Sequence, residues 1–175
     1  ESLLLSTLAA PEEPDLIHLA SASPDAINLY SVRPDGVPRL QGSLSQREVT
    51  DLHLIADASG APLLLATTGS EFLVIDPLPR PRVRSRVPIV GASAVRGVAY
   101  HDGSLFGYVG SSSNGVTVFD LSDPEEPIQF AVAGERRAVA ALALHYEMTG
   151  EVTVVAATDQ GTAFYEAHTV GRSRT

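Results

Sequence analysis

One short phrase occurs four times in this chain: a turn rich in Gly, Ser or Asn, then an apolar run that ends on a polar or acidic residue. The copies are Ala26-Ile-Asn-Leu-Tyr-Ser31, Glu71-Phe-Leu-Val-Ile-Asp76, Gly115-Val-Thr-Val-Phe-Asp120 and Gly161-Thr-Ala-Phe-Tyr-Glu166. Their starts lie about 45 positions apart, which marks a stack of similar units, none able to bury its apolar face alone. The period constrains the fold far more than the function.

Each period divides into four short strands, which we letter a to d, with the quoted phrase as d, the expected outermost strand. Strand c precedes it: Leu16 to Ala20, Leu63 to Ala66, Phe106 to Gly110 and Val152 to Ala156. The gap between c and d holds Ser-Ala-Ser-Pro-Asp, Thr-Thr-Gly-Ser, Ser-Ser-Ser-Asn or Ala-Thr-Asp-Gln. Such residues accept positive φ or bond back to nearby backbone, so c and d form an antiparallel hairpin in every copy. Strand b runs over Val49 to Ile55, Val95 to Tyr100 and Val139 to Leu144, with Leu3 to Leu8 as its first copy. Strand a follows a proline each time, at Pro38, Pro81 and Pro127. Lacking an amide proton, proline suits the first residue of a strand. No stretch of 10 or more residues combines helical periodicity with caps.

The expectation is therefore an all-β fold: a β-propeller of about four four-stranded blades, near residues 1–31, 37–76, 81–120 and 127–166, in a single domain or propeller segment. Two arrangements follow. Residues 168–175, with Val170 to Thr175 as the strand, could supply a closing inner strand to the first blade and seal a ring of four. Alternatively the blades form an arc of a larger propeller, with the remaining blades in another chain. We favour the arc, because so short an inner strand closes a ring poorly, and an open arc leaves apolar faces for a partner.

Val95 to Gly134 reads VRGVAYHDGSLFGYVGSSSNGVTVFDLSDPEEPIQFAVAG. It resembles an LVIVD-type repeat, in which an apolar d strand ends in Asp and a Ser-Asp-Pro-x-x-Pro link follows. Asp120 to Pro127 fits that link closely; Phe72 to Asp76 with Pro77 and Pro79 fits it loosely. Ser31 and Glu166 stand where the pattern has Asp. The resemblance implies a propeller, a bacterial origin and an extracellular, periplasmic or cell-surface setting. It brings no shared catalytic residue.

Composition removes several function classes. The net charge is −9, which repels a phosphate backbone and argues against binding nucleic acid. No apolar run approaches the roughly 18 residues of a spanning helix. With no cysteine there is no thiolate site. All 12 basic residues are Arg.

Arg80, Arg82, Arg84 and Arg86 alternate with Pro81, Val83, Ser85 and Val87, which puts four guanidinium groups on one face of a strand leading toward the channel. Such a row offers forked donors to phosphate, sulfate or a carboxylate, making these four the candidate ligand-binding residues. Pairing with neighbouring Asp and Glu is the plainer expectation. Asp15, Asp35, Asp57, Asp102, Asp123, Glu125 and Glu126 fall in links that a propeller gathers at one rim, without the dense spacing of a calcium loop. His18, His53, His101, His145 and His168 make no H-x-H or H-E-x-x-H pair, so no zinc site is expected. His101-Asp102-Gly103 reads as a turn. Serines lack a G-x-S-x-G elbow and no Gly-rich phosphate loop occurs, so neither a catalytic set nor a cofactor is expected. Tyr30, Tyr100, Tyr108, Tyr146 and Tyr165 are assigned to core or interblade packing.

These features point to a non-enzymatic interaction or scaffold module that offers rim loops to a protein partner, or that completes a propeller with blades from another chain. The alternative is a metal-dependent propeller hydrolase, lactonase-like or phytase-like, with its metal held by rim or channel carboxylates.

Overall fold

The computed structural model describes residues 4–10, 13, 15–57, 59–100, 102–134, 136–147 and 151–166. Fifteen strands and no helix occur among them. Sheet 1 contains β1 (Leu4–Ala9), β2 (Ile17–Ala22), β3 (Ala26–Val32) and β4 (Pro38–Ser45). Sheet 2 contains β5 (Val49–Ala56), β6 (Pro62–Thr68), β7 (Glu71–Asp76) and β8 (Arg82–Pro88). Sheet 3 holds β9 (Ala92–Ala99), β10 (Leu105–Ser111), β11 (Gly115–Asp120) and β12 (Ile128–Ala133); sheet 4 holds β13 (Val139–Tyr146), β14 (Val152–Thr158) and β15 (Gly161–Glu166). Strands within each sheet are antiparallel and in chain order, and the c–d hairpins form as the turn residues require. The first strands β1, β5, β9 and β13 stand side by side in that order, the inner wall of a β-propeller arc.

The grouping of strands differs from the sequence expectation by one place. The strand after each proline pairs with the d strand before it, so it closes the preceding sheet as its outermost member and does not open the next. Strand d is third from the centre. For β4 and β8 side-chain polarity accounts for this, whereas the apolar β12 takes the same outer place without it. Pro38–Ser45 and Arg82–Pro88 carry too many Arg, Gln and Ser side chains for the crowded centre, and β4 and β8 are largely exposed or half-buried. Strands β7 and β11 are buried along nearly their whole length. The closing strand expected over 168–175 lies outside the described residues.

Bulges recur at matching places. Thr50, Ser93 and Ala140 are the extra residues of the inner strands; Gln41, Arg84 and Phe130 are those of the outer strands. Each adds local twist at a sheet margin.

The core consists of three apolar clusters, each between two consecutive sheets. Ile27 and Leu29 of sheet 1 meet Leu52, Leu54 and Leu73 of sheet 2. Leu65, Phe72 and Val74 of sheet 2 meet Val95, Val109 and Phe119 of sheet 3, with the Phe72 and Phe119 rings stacked 5.2 Å apart. Tyr108, Val116 and Val118 of sheet 3 meet Val139, Leu142 and Val154 of sheet 4. Burying each such side chain contributes about 1.5–3 kcal/mol, so these joints hold the arc together. Among the described residues, β13 and β1 share no such joint.

Polar side chains of one inner strand also fasten the next. Ser6 Oγ accepts the Leu54 N–H at 2.8 Å, and His53 Nδ1 accepts the Gly97 N–H at 2.8 Å. Asp51 accepts from the Val95 N–H at 2.9 Å and from Arg96 at 2.6 Å. At the bulges, Thr50 donates to the Ala92 carbonyl at 3.1 Å and Ser93 to the Val139 carbonyl at 2.5 Å. Inner strands have no ladder partner on their channel side, so all of these bonds except that between Arg96 and Asp51 engage a backbone group outside the ladders.

Candidate functional site: one rim of the arc

In a sheet of this order, the links from first to second strand and from third to fourth emerge at the same end. The links at 57–61, 77–81, 100–104 and 121–127 therefore share one rim, where the sequence places its scattered carboxylates. Contacts between sheets confirm the convergence: Arg82 meets Glu125 at 3.4 Å and Ser85 Oγ donates to the Pro124 carbonyl at 2.8 Å. A cleft here is lined by Asp57 and Ser59 of sheet 2 and by Gly103, Leu105, Leu121, Ser122 and Pro124 of sheet 3.

Most of the aspartates on this rim shape their own loops. Asp57 Oδ1 accepts from the Ser59 and Ala61 N–H groups at 2.8 and 3.0 Å. Asp102 accepts from the Ser104 N–H at 3.0 Å, Asp120 from that of Ser122 at 2.8 Å and Asp123 from that of Glu125 at 2.9 Å. Asp35 accepts from the Val37 N–H and from Arg39, and chiefly the backbone bond holds its carboxyl below the ordinary range. Turn-forming side chains of this kind explain Asp at these positions without a bound cation. Among the described residues, no three His, Asp or Glu converge as a metal-binding group.

Glu126, Glu147 and Glu151 on the same rim are exposed. Two apolar side chains on this rim are exposed as well, Ile128 of sheet 3 at 66% and Tyr146 of sheet 4 at 61%. Below Ile128, a file of rings runs inward, Phe130 edge-on to Phe106 and Phe106 edge-on to Tyr100, each pair 5.9 Å apart. Tyr100 and Tyr108 approach through their hydroxyls at 3.4 Å, and burial raises the pKa of both phenols. Tyr108 is the core residue the sequence suggests; Tyr146 instead faces solvent. The opposite rim is balanced in charge: Asp25 pairs with Arg47 at 3.0 Å and Glu71 with Arg86 at 2.8 Å, and Arg136 and Arg137 lie there too.

The arginine row does not lead toward the channel. Arg82, Arg84 and Arg86 lie on β8, the outermost strand of sheet 2, and Arg80 is exposed in the link before it. Arg84 is the bulge residue, which breaks the period-two alternation. Three of the four guanidinium groups are engaged by carboxylates. Asp76 takes Arg82 at 2.9 Å and Arg84 at 2.5 Å, and Glu71 takes Arg86 at 2.8 Å. Sequence reasoning missed the polar residues that join the inner strands. Asp51 and His53 in an otherwise apolar strand were the available signal. Burial pushes the His53 imidazole down to about 4, so it is neutral at pH 7 and its Nδ1 accepts.

Fold and rim together define a β-propeller module. Among solved structures the chain is similar to one described as "Structure of Dos1 propeller". The TM-score is 0.62 at 16% identity, covering 98% of this chain and 42% of that one. The chain thus spans less than half the length of that propeller. No protein-family model matches the chain, and no curated protein matches it.

Proposed function

We propose that this propeller arc is a non-enzymatic interaction module whose acidic rim docks a macromolecular partner with a basic and apolar surface. The observation that supports this reading most is the difference between the two rims. One exposes Glu126, Glu147 and Glu151 together with Ile128 and Tyr146 in addition to its ion pairs, while the other sets Arg47, Arg86, Arg136 and Arg137 against its acids. Exposed carboxylates and apolar side chains on one rim steer a positively charged partner and then offer it surface to bury. The same field repels nucleic acid. The hydrolase alternative gains no support from the rim aspartates, which serve their own turns. The likeness of residues 95–134 to an LVIVD repeat supports an exported or surface-exposed setting as part of the proposal.

The test is quantitative recovery of copurifying proteins with paired variants. Glu126→Arg with Glu147→Arg should abolish a salt-sensitive interaction that Glu48→Arg, on the opposite rim, leaves intact. Equal recovery by all forms would refute the rim as the docking surface. Chelator-sensitive turnover of phosphate esters or lactones would instead establish the hydrolase.

A further inference from the structure

We propose that the outer edge of sheet 3 is an interface between two copies of this chain, packed edge to edge with their β12 strands antiparallel. The three outer strands compare position by position. Arg39, Arg82 and Ile128 pair with the last residue of the repeated phrase, and Ser43, Arg86 and Val132 with its third; Gln41, Arg84 and Phe130 are the bulge residues. Sheets 1 and 2 put Arg, Gln or Ser at every one of these places, and β12 alone is apolar at all of them. Such places face solvent even where the neighbouring sheet is complete: Arg39, Gln41 and Ser43 are exposed although the four-stranded sheet 2 stands beside sheet 1. On β12 they leave Ile128 66%, Phe130 41% and Val132 37% exposed.

Sheet edges are ordinarily guarded by charge, by proline or by a bulge, because an unguarded edge invites another chain. Strand β4 carries Pro38 and Arg39, and β8 carries three arginines and Pro88, whereas Ile128-Gln-Phe-Ala-Val-Ala133 has neither a charge nor a proline. The bulge is common to all three strands, so the difference lies in the side chains.

The two ends of the strand select its partner. Asp123-Pro-Glu-Glu126 precedes β12 with a net charge of −3, and Glu135-Arg-Arg137 follows it with +1. A two-fold axis at the middle of β12 lays the acidic end of each copy against the basic end of the other, so the edge is complementary to itself. A parallel arrangement would set like charge against like. The inference does not rest on the rim reading: Ile128 and Glu126 belong to both surfaces, Phe130 and Val132 to this one alone.

Native mass spectrometry and light scattering across a concentration series test this. The parent chain should pass from 18.4 kDa to a species of twice that mass. Phe130→Gln with Val132→Arg installs residues that β4 and β8 carry at these places and should leave monomers that still recover any partner of the acidic rim. Charge reversal gives a second readout that leaves the apolar packing untouched. Glu125→Arg with Glu126→Arg, and separately Arg136→Glu with Arg137→Glu, should each weaken the homodimer about tenfold at low salt. An equimolar mixture of these two proteins should form heterodimers, since each end then meets its opposite. Monomers at every concentration, a dimer that survives Phe130→Gln with Val132→Arg, or charge-reversed proteins that do not prefer each other when mixed would overturn the proposal.

Discussion

Gly97 on β9 donates its backbone N–H to Nδ1 of His53 on β5, one sheet back along the arc. Leu54 stands in the same relation to Ser6. One repeat position thus uses a histidine in one joint and a serine in another for a single task, accepting the amide of the next inner strand. Chemistry-bearing residues at the centre of the arc are fastenings between sheets.

Replacing His53 by Ala should cost about 1–3 kcal/mol, because the Gly97 amide loses its acceptor inside a packed joint. The pH dependence has a definite sign. The unfolded histidine takes up a proton near 6.5, whereas the folded one refuses it until about 4. Stability should therefore fall as pH drops through that window, by on the order of 3 kcal/mol at most. Burial lowers His18 as well, which adds to the same trend. Urea titrations between pH 7 and 4 should show the slope in the parent protein and a shallower one in His53→Ala.

Gly97→Ala should destabilise by overpacking. The added methyl would sit 2.7 Å from Ile55 Cδ1 and 2.8 Å from Leu65 Cδ1, both within the joint between sheets 2 and 3. A loss of about 1–3 kcal/mol in chemical denaturation is expected. An unchanged midpoint would mean that the two sheets stand farther apart.

Asp76 and its two arginines should respond unequally. Arg82→Ala removes a largely exposed partner and should cost about 0–1 kcal/mol. Asp76→Ala leaves both Arg82 and Arg84 without their shared carboxylate and should cost more, about 1–3 kcal/mol. Sulfate should stabilise the parent protein no more than an Arg84→Ala variant, since Arg82, Arg84 and Arg86 are already engaged by Asp76 and Glu71. A saturable sulfate effect lost in Arg84→Ala would restore the row as an anion site.

Phe119→Ala should cost about 3–5 kcal/mol, as the ring is buried and stacked on Phe72 across the joint. Thermal unfolding at low protein concentration measures this cleanly.

The hairpins were legible because turn chemistry is local: Asn114-Gly115 needs only its neighbours to specify a reversal, and Gly115 indeed has φ of +69°. The frame of the sheets was not. Whether Pro38–Ser45 opens one sheet or closes another depends on how much polarity the centre tolerates, and that is a property of four packed sheets. The rim location of Asp57, Asp102 and Asp123 was readable from the period, since links of one type must share an end. Arg84 defeated the alternation rule because a bulge inserts a residue that period-two arithmetic does not contain. Asp51 and His53 looked like isolated polar residues, because their partners lie about one full repeat away at Val95 and Gly97.

Residue-resolved amide hydrogen exchange tests the account at its centre. The amides of Leu54, Val95 and Gly97 have side-chain acceptors only because consecutive inner strands stand shoulder to shoulder. Protection of these three, with Gly97 selectively released in His53→Ala, is the expected result. Rapid exchange at all three in the parent protein would contradict the packing of the sheets described above.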